Sequence, residues 1–345
     1  MTTLVNFYGL PFLVSFGVVS VFCFLFIRFQ HVFVLRDNRS DKRHIHKRQI
    51  SRFGGVAIVI SVIFTLAVNE HLFFDHIVWS IIVGGIVILI FGVIDDIKPL
   101  NWRTQIFAQI IIILFIFIMG VRIEFVTNPF GGVIWLIYNN IPLLSLLFML
   151  VWMGIIINTI NWCDGIDGLA GGVVFIAAIT LFVIALQPHV MQPPIAIIAI
   201  VLAGSIAGFL VFNLPPAKIF AGSSGSFFMG FIISLLAIAA GAKIGATLLV
   251  LAVPLIDAMW VIVNRLRSGD SIFHGDKRHL HHKLLDRGWS MWRILILYYT
   301  ITILCAIVAI ATHDIGKMIA LIIFCGIILM FFVALSYNRQ NNKIN

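Results

Sequence analysis

Residues 77–94 read IVWSIIVGGIVILIFGVI, a run without one charged side chain, and it stops at Asp95-Asp96. A helix of that length nearly matches the ~30 Å hydrocarbon core of a bilayer. The run shows no period-two alternation, and backbone groups in hydrocarbon must be satisfied within their own segment, so a helix is selected over a strand.

Comparable apolar runs lie near 5–27, 53–68, 106–120, 141–160, 173–186, 195–212, 227–240, 244–263, 293–311 and 318–337. With 77–94 they predict an all-α integral membrane protein of about eleven transmembrane helices. The composition agrees: of 345 residues 61% are hydrophobic and 11% charged, too little polar surface to cover a soluble globule. Mean hydropathy is +1.10. The first run lacks a basic leader and a small-residue cleavage site, so it reads as a retained span. No repeat or low-complexity linker divides the chain, and residues 1–345 read as a single polytopic domain.

An odd number of crossings places the two termini on opposite sides. Assigning loops alternately puts every Lys and Arg on one side except Arg122, Lys243 and Lys317, among 23 in total. The positive-inside rule makes that side the cytoplasm, with the N-terminus outside and the C-terminus cytoplasmic. The net charge of +9 is therefore a topology signal, and nucleic acid is not needed to explain it. On the outer side only 121–140 has room for structure, and a short periplasmic β-hairpin is expected, turning at Asn128-Pro129-Phe130-Gly131-Gly132. Cys23, Cys163, Cys305 and Cys325 lie in or beside apolar runs without paired spacing, which points to packing roles.

Polar chemistry gathers on the basic side. Asp95 and Asp96 are two adjacent carboxylates at a span end, expensive to bring together without a cation, or else two solvated surface charges. NTINWCDGIDGLAGG (158–172) spaces Asn158, Asn161, Asp164 and Asp167 by three, so that a helix would carry them on one face. Such a cluster suits a metal, hydroxyls or a nucleobase, while its glycines permit close backbone approach; helix capping is the plainer reading. HGDKRHLHHKLLDRG (274–288) sets His279, His281 and His282 beside Asp276, Lys277 and Arg278. This reads as a transition-metal site, a phosphate-binding surface favoured by the interleaved cations, or an amphipathic helix at the headgroups. The loop RDNRSDKRHIHKRQISRFGG (36–55), with Arg43 and His46, suits lipid phosphate or nucleotide as well as plain anchoring. Asp257 is an ionisable residue in an apolar run, a functional candidate or a partner for Arg265 or Arg267.

In this order, RHIHKRQISRFGG, IDDIKPL, NTINWCDGIDGLAGG, NLPPAKIFAGSSGS and RHLHHKLLDRG resemble the polyprenyl-phosphate N-acetylhexosamine-1-phosphate transferases of glycosyltransferase family 4 over nearly the whole chain. The pairing of NxxNxxDGIDGLA with HLHH is specific to that family. The resemblance implies transfer of N-acetylhexosamine 1-phosphate from a UDP-sugar to undecaprenyl phosphate, releasing UMP and initiating cell-wall or surface glycan assembly. HLHH and ISRFGG look more like the N-acetylglucosamine branch than the muramoyl-pentapeptide branch. Mg2+ is the implied cofactor, with Mn2+ as a substitute. The implied catalytic residues are Asp95, Asp96, Asp164 and Asp167, with Asp96, Asp164 and Asp167 on the metal. Asn158, Asn161, Arg278, His279, His281, His282, Arg43 and His46 would bind substrate. The implied partners are the polyprenyl phosphate, the UDP-N-acetylhexosamine, membrane lipids and, as an assembly, a homodimer. The implied place is the bacterial cytoplasmic membrane, with the active site on its cytoplasmic face.

The chain departs from the family pattern at two chemically telling positions. Relatives carry an aspartate where Ser223 stands, and a hydroxyl is a weaker ligand for a hard cation. They often carry a basic residue near Gln105. The first loop also lacks the prolines expected near Arg39, Gln49 and Ser51. A catalytically silent relative that binds lipid phosphate or partners is therefore the second reading. A transporter is the third, and polar clusters at one face rather than at the midplane count against it.

Overall fold

The computed structural model describes residues 5–29, 50–128, 130–137, 141–241, 243–271, 278–312 and 314–341, with side chains in the last helix from Ile315 to Met330. A π-helical turn at Val5–Gly9 leads into α1 (Leu10–Arg28). The helices α2 (Gly54–Ala67), α3 (His76–Ile97) and α4 (Trp102–Ile118) follow. Asp75 starts α3 by accepting the amides of Ile77 and Val78, and Asn101 starts α4 by accepting that of Thr104. Between them Lys98 is extended, as the residue before Pro99 must be, and α3 ends there.

The expected hairpin forms, with β1 (Phe125–Thr127) antiparallel to β2 (Val133–Trp135) and Val126 opposite Ile134. Its turn closes through Asn128 N–H to Gly132 O at 3.1 Å, and Gly131 and Gly132 take the positive φ that such a turn requires.

The remaining helices are α5 (Leu143–Cys163), α6 (Leu169–Ala185), α7 (Pro193–Asn213), α8 (Gly222–Ala239), α9 (Ile244–Val250), α10 (Ala252–Ser268), α11 (Leu280–Leu285), α12 (Met291–Ala311) and α13 (Asp314–Asn341). Two of them form the centre: 78% of the α7 span and 83% of the α8 span is buried, against 28–44% for the other long spans. Around them α1 and α6 pack on α7, while α3 and α5 pack on α8. The cysteines behave as packing residues: all four are free, Cys23, Cys163 and Cys305 buried and Cys325 partly so.

Every expected apolar run falls on a helix, but the runs are not equivalent spans. Six helices are long and apolar enough to cross a membrane, and the bent α9–α10 pair is a seventh candidate. The others are shorter; the 14 residues of α2 reach only about 21 Å. The run at 244–263 was expected to be continuous, yet α9 and α10 meet at 79°. Pro254 explains the break, because its ring clashes with the carbonyl four residues earlier, that of Val250, where α9 ends.

Candidate active site

The polar clusters meet at one end of the bundle, where α3 and α5 finish and α8 begins. The first turn of α8 is the hub. Segment 51–55, the SRFGG of the basic loop, lies along Ile219–Ala221: Phe220 N–H donates to Ser51 O at 2.9 Å, Gly54 N–H to Phe220 O at 3.0 Å, and Gly55 N–H to Ala221 O at 2.9 Å. A Cβ on Gly55 would stand 2.1 Å from the Gly225 nitrogen, so only glycine permits this approach. The pairing brings the charge of Arg52 to bear on Asp96 and Asp164.

Asp96, at the last turn of α3, caps α8. Its Oδ1 accepts the Ser223 amide at 2.8 Å, and its Oδ2 accepts the Ser224 amide at 3.1 Å and the Ser224 hydroxyl at 3.0 Å. A carboxylate there also faces the positive end of the helix dipole. Asp95 is equally engaged. Its Oδ1 takes the Leu100 amide at 2.8 Å and Gln105 Nε2 at 3.0 Å, while Oδ2 takes the Ser223 hydroxyl. Gln105 and Ser223, the two positions where the chain departs from its family pattern, thus meet on one carboxylate. Both aspartates are buried rather than solvated surface charges.

The four-residue helical face expected from NTINWCDGIDG does not form, because α5 ends at Cys163. Asn158 and Asn161 remain helical but point apart. Asn158 exchanges amide hydrogen bonds with Gln109 of α4 at 2.8 and 3.3 Å, whereas Asn161 donates to the Ser226 hydroxyl of α8 at 2.8 Å. Asp164 is the C-cap of α5, and Asp167 lies in the turn before Gly168, whose φ of 79° starts α6. That turn is clasped by the NLPPAK loop. Ala217 N–H donates to Asp167 at 2.9 Å, Gly168 N–H to Asn213 Oδ1 at 3.0 Å, and Asn213 Nδ2 to Ile219 O at 2.9 Å.

Asp164 differs from its neighbours, since its carboxylate accepts no hydrogen bond among the described residues. Burial first, then the nearby Asp96 charge, raise its pKa to about 7; Asp167 adds to this and Arg52 opposes it. A divalent cation suits such uncompensated acid. Among the described residues no three His, Cys, Asp or Glu side chains gather into a metal cage. A divalent ion held here would have to complete its shell with substrate phosphate and water.

The histidines close the other wall. His279 and His281 are buried, so the surface-helix reading fails for them. Asp257 anchors this wall through the Leu280 amide at 2.8 Å and His279 Nδ1 at 3.1 Å, and these, rather than Arg265 or Arg267, are its hydrogen-bond partners. Trp162 of α5 lies 6.2 Å from the His279 ring. His281 is 1% exposed and neither ring nitrogen makes a hydrogen bond. Its Nε2 reaches so close to Gly165 that a Cβ there would stand 2.2 Å away. Burial, then His282 and His279, hold this imidazole well below its usual pKa, hence neutral. Arg278 pairs with Asp270, and Lys283 lies 5.7 Å from the Trp260 ring.

Arg43 and His46, like Asp276 and Lys277, lie outside the described residues. Arg52, Asn213 and Ser224 were not singled out by sequence reasoning. Their only signal was their place in motifs, Arg52 in ISRFGG and Asn213 and Ser224 in NLPPAKIFAGSSGS.

Residues 78–241 match the model of glycosyl transferase family 4. The chain is 33% identical over 288 residues to the decaprenyl-phosphate N-acetylglucosaminephosphotransferase of Mycobacterium leprae, covering 75% of this chain and 72% of the relative. It is 31% identical over 317 residues to the probable undecaprenyl-phosphate N-acetylglucosaminyl 1-phosphate transferase of Bacillus subtilis, covering 89% and 86%. A phospho-N-acetylmuramoyl-pentapeptide-transferase of Lactobacillus gasseri is 30% identical over 323 residues, covering 87% and 97%.

Proposed function

Because this chain belongs to glycosyl transferase family 4, we propose that it transfers N-acetylglucosamine 1-phosphate from UDP-N-acetylglucosamine to a polyprenyl phosphate, undecaprenyl phosphate in the first instance. In that reaction an oxygen of the lipid phosphate forms a bond to the β-phosphorus of the nucleotide sugar. The bond from that phosphorus to the bridging oxygen breaks, and UMP leaves with its electron pair. The product is the lipid-linked pyrophosphoryl sugar.

One observation carries the reading: beside Gly165, the buried His281 ring packs against the turn that follows Asp164, and among the described residues neither that imidazole nor the Asp164 carboxylate has a hydrogen bond, while the charge of Arg52 acts on Asp164. Neutral His281 can donate one hydrogen bond to a phosphate oxygen, with His279 and His282 beside it and Asp257 holding their segment in place. Arg52 supplies positive charge from the opposite wall. Asp96 and Asp95 orient the first turn of α8, and Asn161 is set against Ser226 within reach of the same opening. Asp164, with Asp96 and Asp167 behind it, would hold Mg2+ or Mn2+. When bound, that ion neutralises charge as phosphate meets pyrophosphate.

The proposal places the chain as one polytopic domain in a bacterial cytoplasmic membrane. Eleven crossings, an outer N-terminus and a cytoplasmic C-terminus put this end of the bundle where a lipid phosphate and a cytosolic nucleotide meet. Release of UMP from UDP-N-acetylglucosamine by the purified chain with undecaprenyl phosphate tests it. Release should need Mg2+ or Mn2+ and disappear in Asp164→Asn. No release with any UDP-N-acetylhexosamine would instead favour the silent relative, the reading that Ser223 supports.

A further inference from the structure

We propose that Tyr299 of α12 is a positioning residue for the proposed transfer: by holding the Gly168 carbonyl it registers the turn after Asp164 against the helix that continues from the histidine segment, and so sets where Asp164 stands relative to His281. The inference rests on the proposed function for its rate measurement, and its structural half is read without it.

The Asp164 carboxylate accepts no hydrogen bond among the described residues, so the backbone on either side of it decides where it stands. The near end is fixed by α5 itself, through Asp164 N–H to Ile160 O at 3.2 Å. The far end is Gly168, which is held from three helices. Its N–H donates to Asn213 Oδ1 of α7 at 3.0 Å. Its carbonyl accepts Gly172 N–H of α6 at 2.9 Å and the Tyr299 hydroxyl of α12 at 2.6 Å. Tyr299 reaches that carbonyl because α6 leaves it room: a Cβ on Gly172 would stand 2.1 Å from the Tyr299 hydroxyl and from Cζ.

The helix that carries Tyr299 is tied to the histidines. α11 ends at Leu285, Trp289 N–H turns back to Leu284 O at 3.1 Å, and Ser290 caps α12. This α11–α12 unit therefore touches the turn at two points three residues apart, His281 on Gly165 and Tyr299 on Gly168. Of the two, Tyr299 makes a directional hydrogen bond, whereas the ring nitrogens of His281 make none. Phenylalanine at 299 would keep the ring in its seat, and the Gly168 carbonyl would keep Gly172 N–H, so little stability is at stake. What is lost is the register of the turn.

The test is a double-mutant cycle on the full-length protein in detergent, with Y299F, H281L and Y299F/H281L. UMP release, melting temperature and amide hydrogen exchange of residues 164–170 are read. Y299F should lower kcat about tenfold, with KM for the nucleotide sugar changed less than about threefold. Its melting temperature should stay within about 2 °C of the parent, while exchange in the turn quickens about tenfold. With leucine at 281, adding Y299F should cost less than about twofold, because substitutions that act through one contact do not add. A tyrosine that only packs would give additive losses that follow the melting temperature. Unchanged kcat, an equal cost of Y299F in both backgrounds, or unchanged exchange in the turn would each overturn the positioning role. Should the parent release no UMP, the proposed function falls, and exchange in Y299F beside the parent still decides whether the hydroxyl holds the turn.

Discussion

Two acidic regions stand at the same end of this bundle and are built in opposite ways. Asp95 and Asp96 have all four carboxylate oxygens occupied by amides, hydroxyls and Gln105. Among the described residues, by contrast, the Asp164 carboxylate accepts no hydrogen bond and His281 is a buried ring with neither nitrogen hydrogen-bonded. A satisfied buried acid contributes to stability, whereas an unsatisfied buried group costs stability and persists where a ligand completes it. On the proposed function the Asp95–Asp96 side therefore sets the frame of the site, and the Asp164–His281 side is the one that would meet the substrate.

Substitutions should separate these two roles by moving activity and stability independently. The largest contrast lies between Asp164→Asn and Asp96→Asn. The first should reduce UMP release about 1,000-fold or more without lowering the melting temperature. The second should reduce both, because an amide NH2 would replace one of the two oxygens that accept the Ser223 and Ser224 donors, leaving donor against donor. Equal melting losses would erase the distinction. Next, His281→Leu should slow transfer about 100-fold while leaving the protein at least as stable, since the ring makes no hydrogen bond to lose; a clear drop in melting temperature would count against a substrate-facing ring. Asp257→Asn should cost about tenfold, mainly through weaker binding of the nucleotide sugar, as the His279–Leu280 anchor loosens.

The smallest expected effect is on protonation. A carboxyl raised from 3.8 to about 7 keeps its proton in the fold where the unfolded chain has lost it, so the Asp164 contribution to the metal-free protein declines as pH rises between those values. Mg2+ bound at Asp164, as proposed, would displace that proton. Calorimetry in buffers of different ionisation enthalpy should count about one proton released near pH 6 and few near pH 8. A count independent of pH would show that the ion does not bind at Asp164.

Much of this division was hidden in the chain. IDDIKPL announced two acids and HLHH three imidazoles, but no spacing tells that Asp96 is taken by the amides of Ser223 and Ser224 or that His281 is left open. NTINWCDGIDG suggested one helical face because its polar residues recur every third position. The helix stops at Cys163, however, and Asp167 belongs to a turn that the distant Asn213 and Ala217 clasp. Asn158 turns to Gln109 on another helix. Hydrogen bonds of this kind join residues tens of positions apart, and local periodicity carries no record of them.

What the sequence determined by itself was the solvent and the composition of the site. Long uncharged runs exclude water as the surrounding medium and demand helices, and the motif clusters of acidic, amide and histidine residues at the loops and run ends of the basic side state which chemistry is available. What only the tertiary structure decided was which of those groups are spent on one another. Packing α8 and Gln105 of α4 against the end of α3 satisfied Asp95 and Asp96, whereas among the described residues Asp164 and His281, on either side of the contact between His281 and Gly165, have no side-chain hydrogen bonds; whether a polar group is satisfied depends on its neighbours in space.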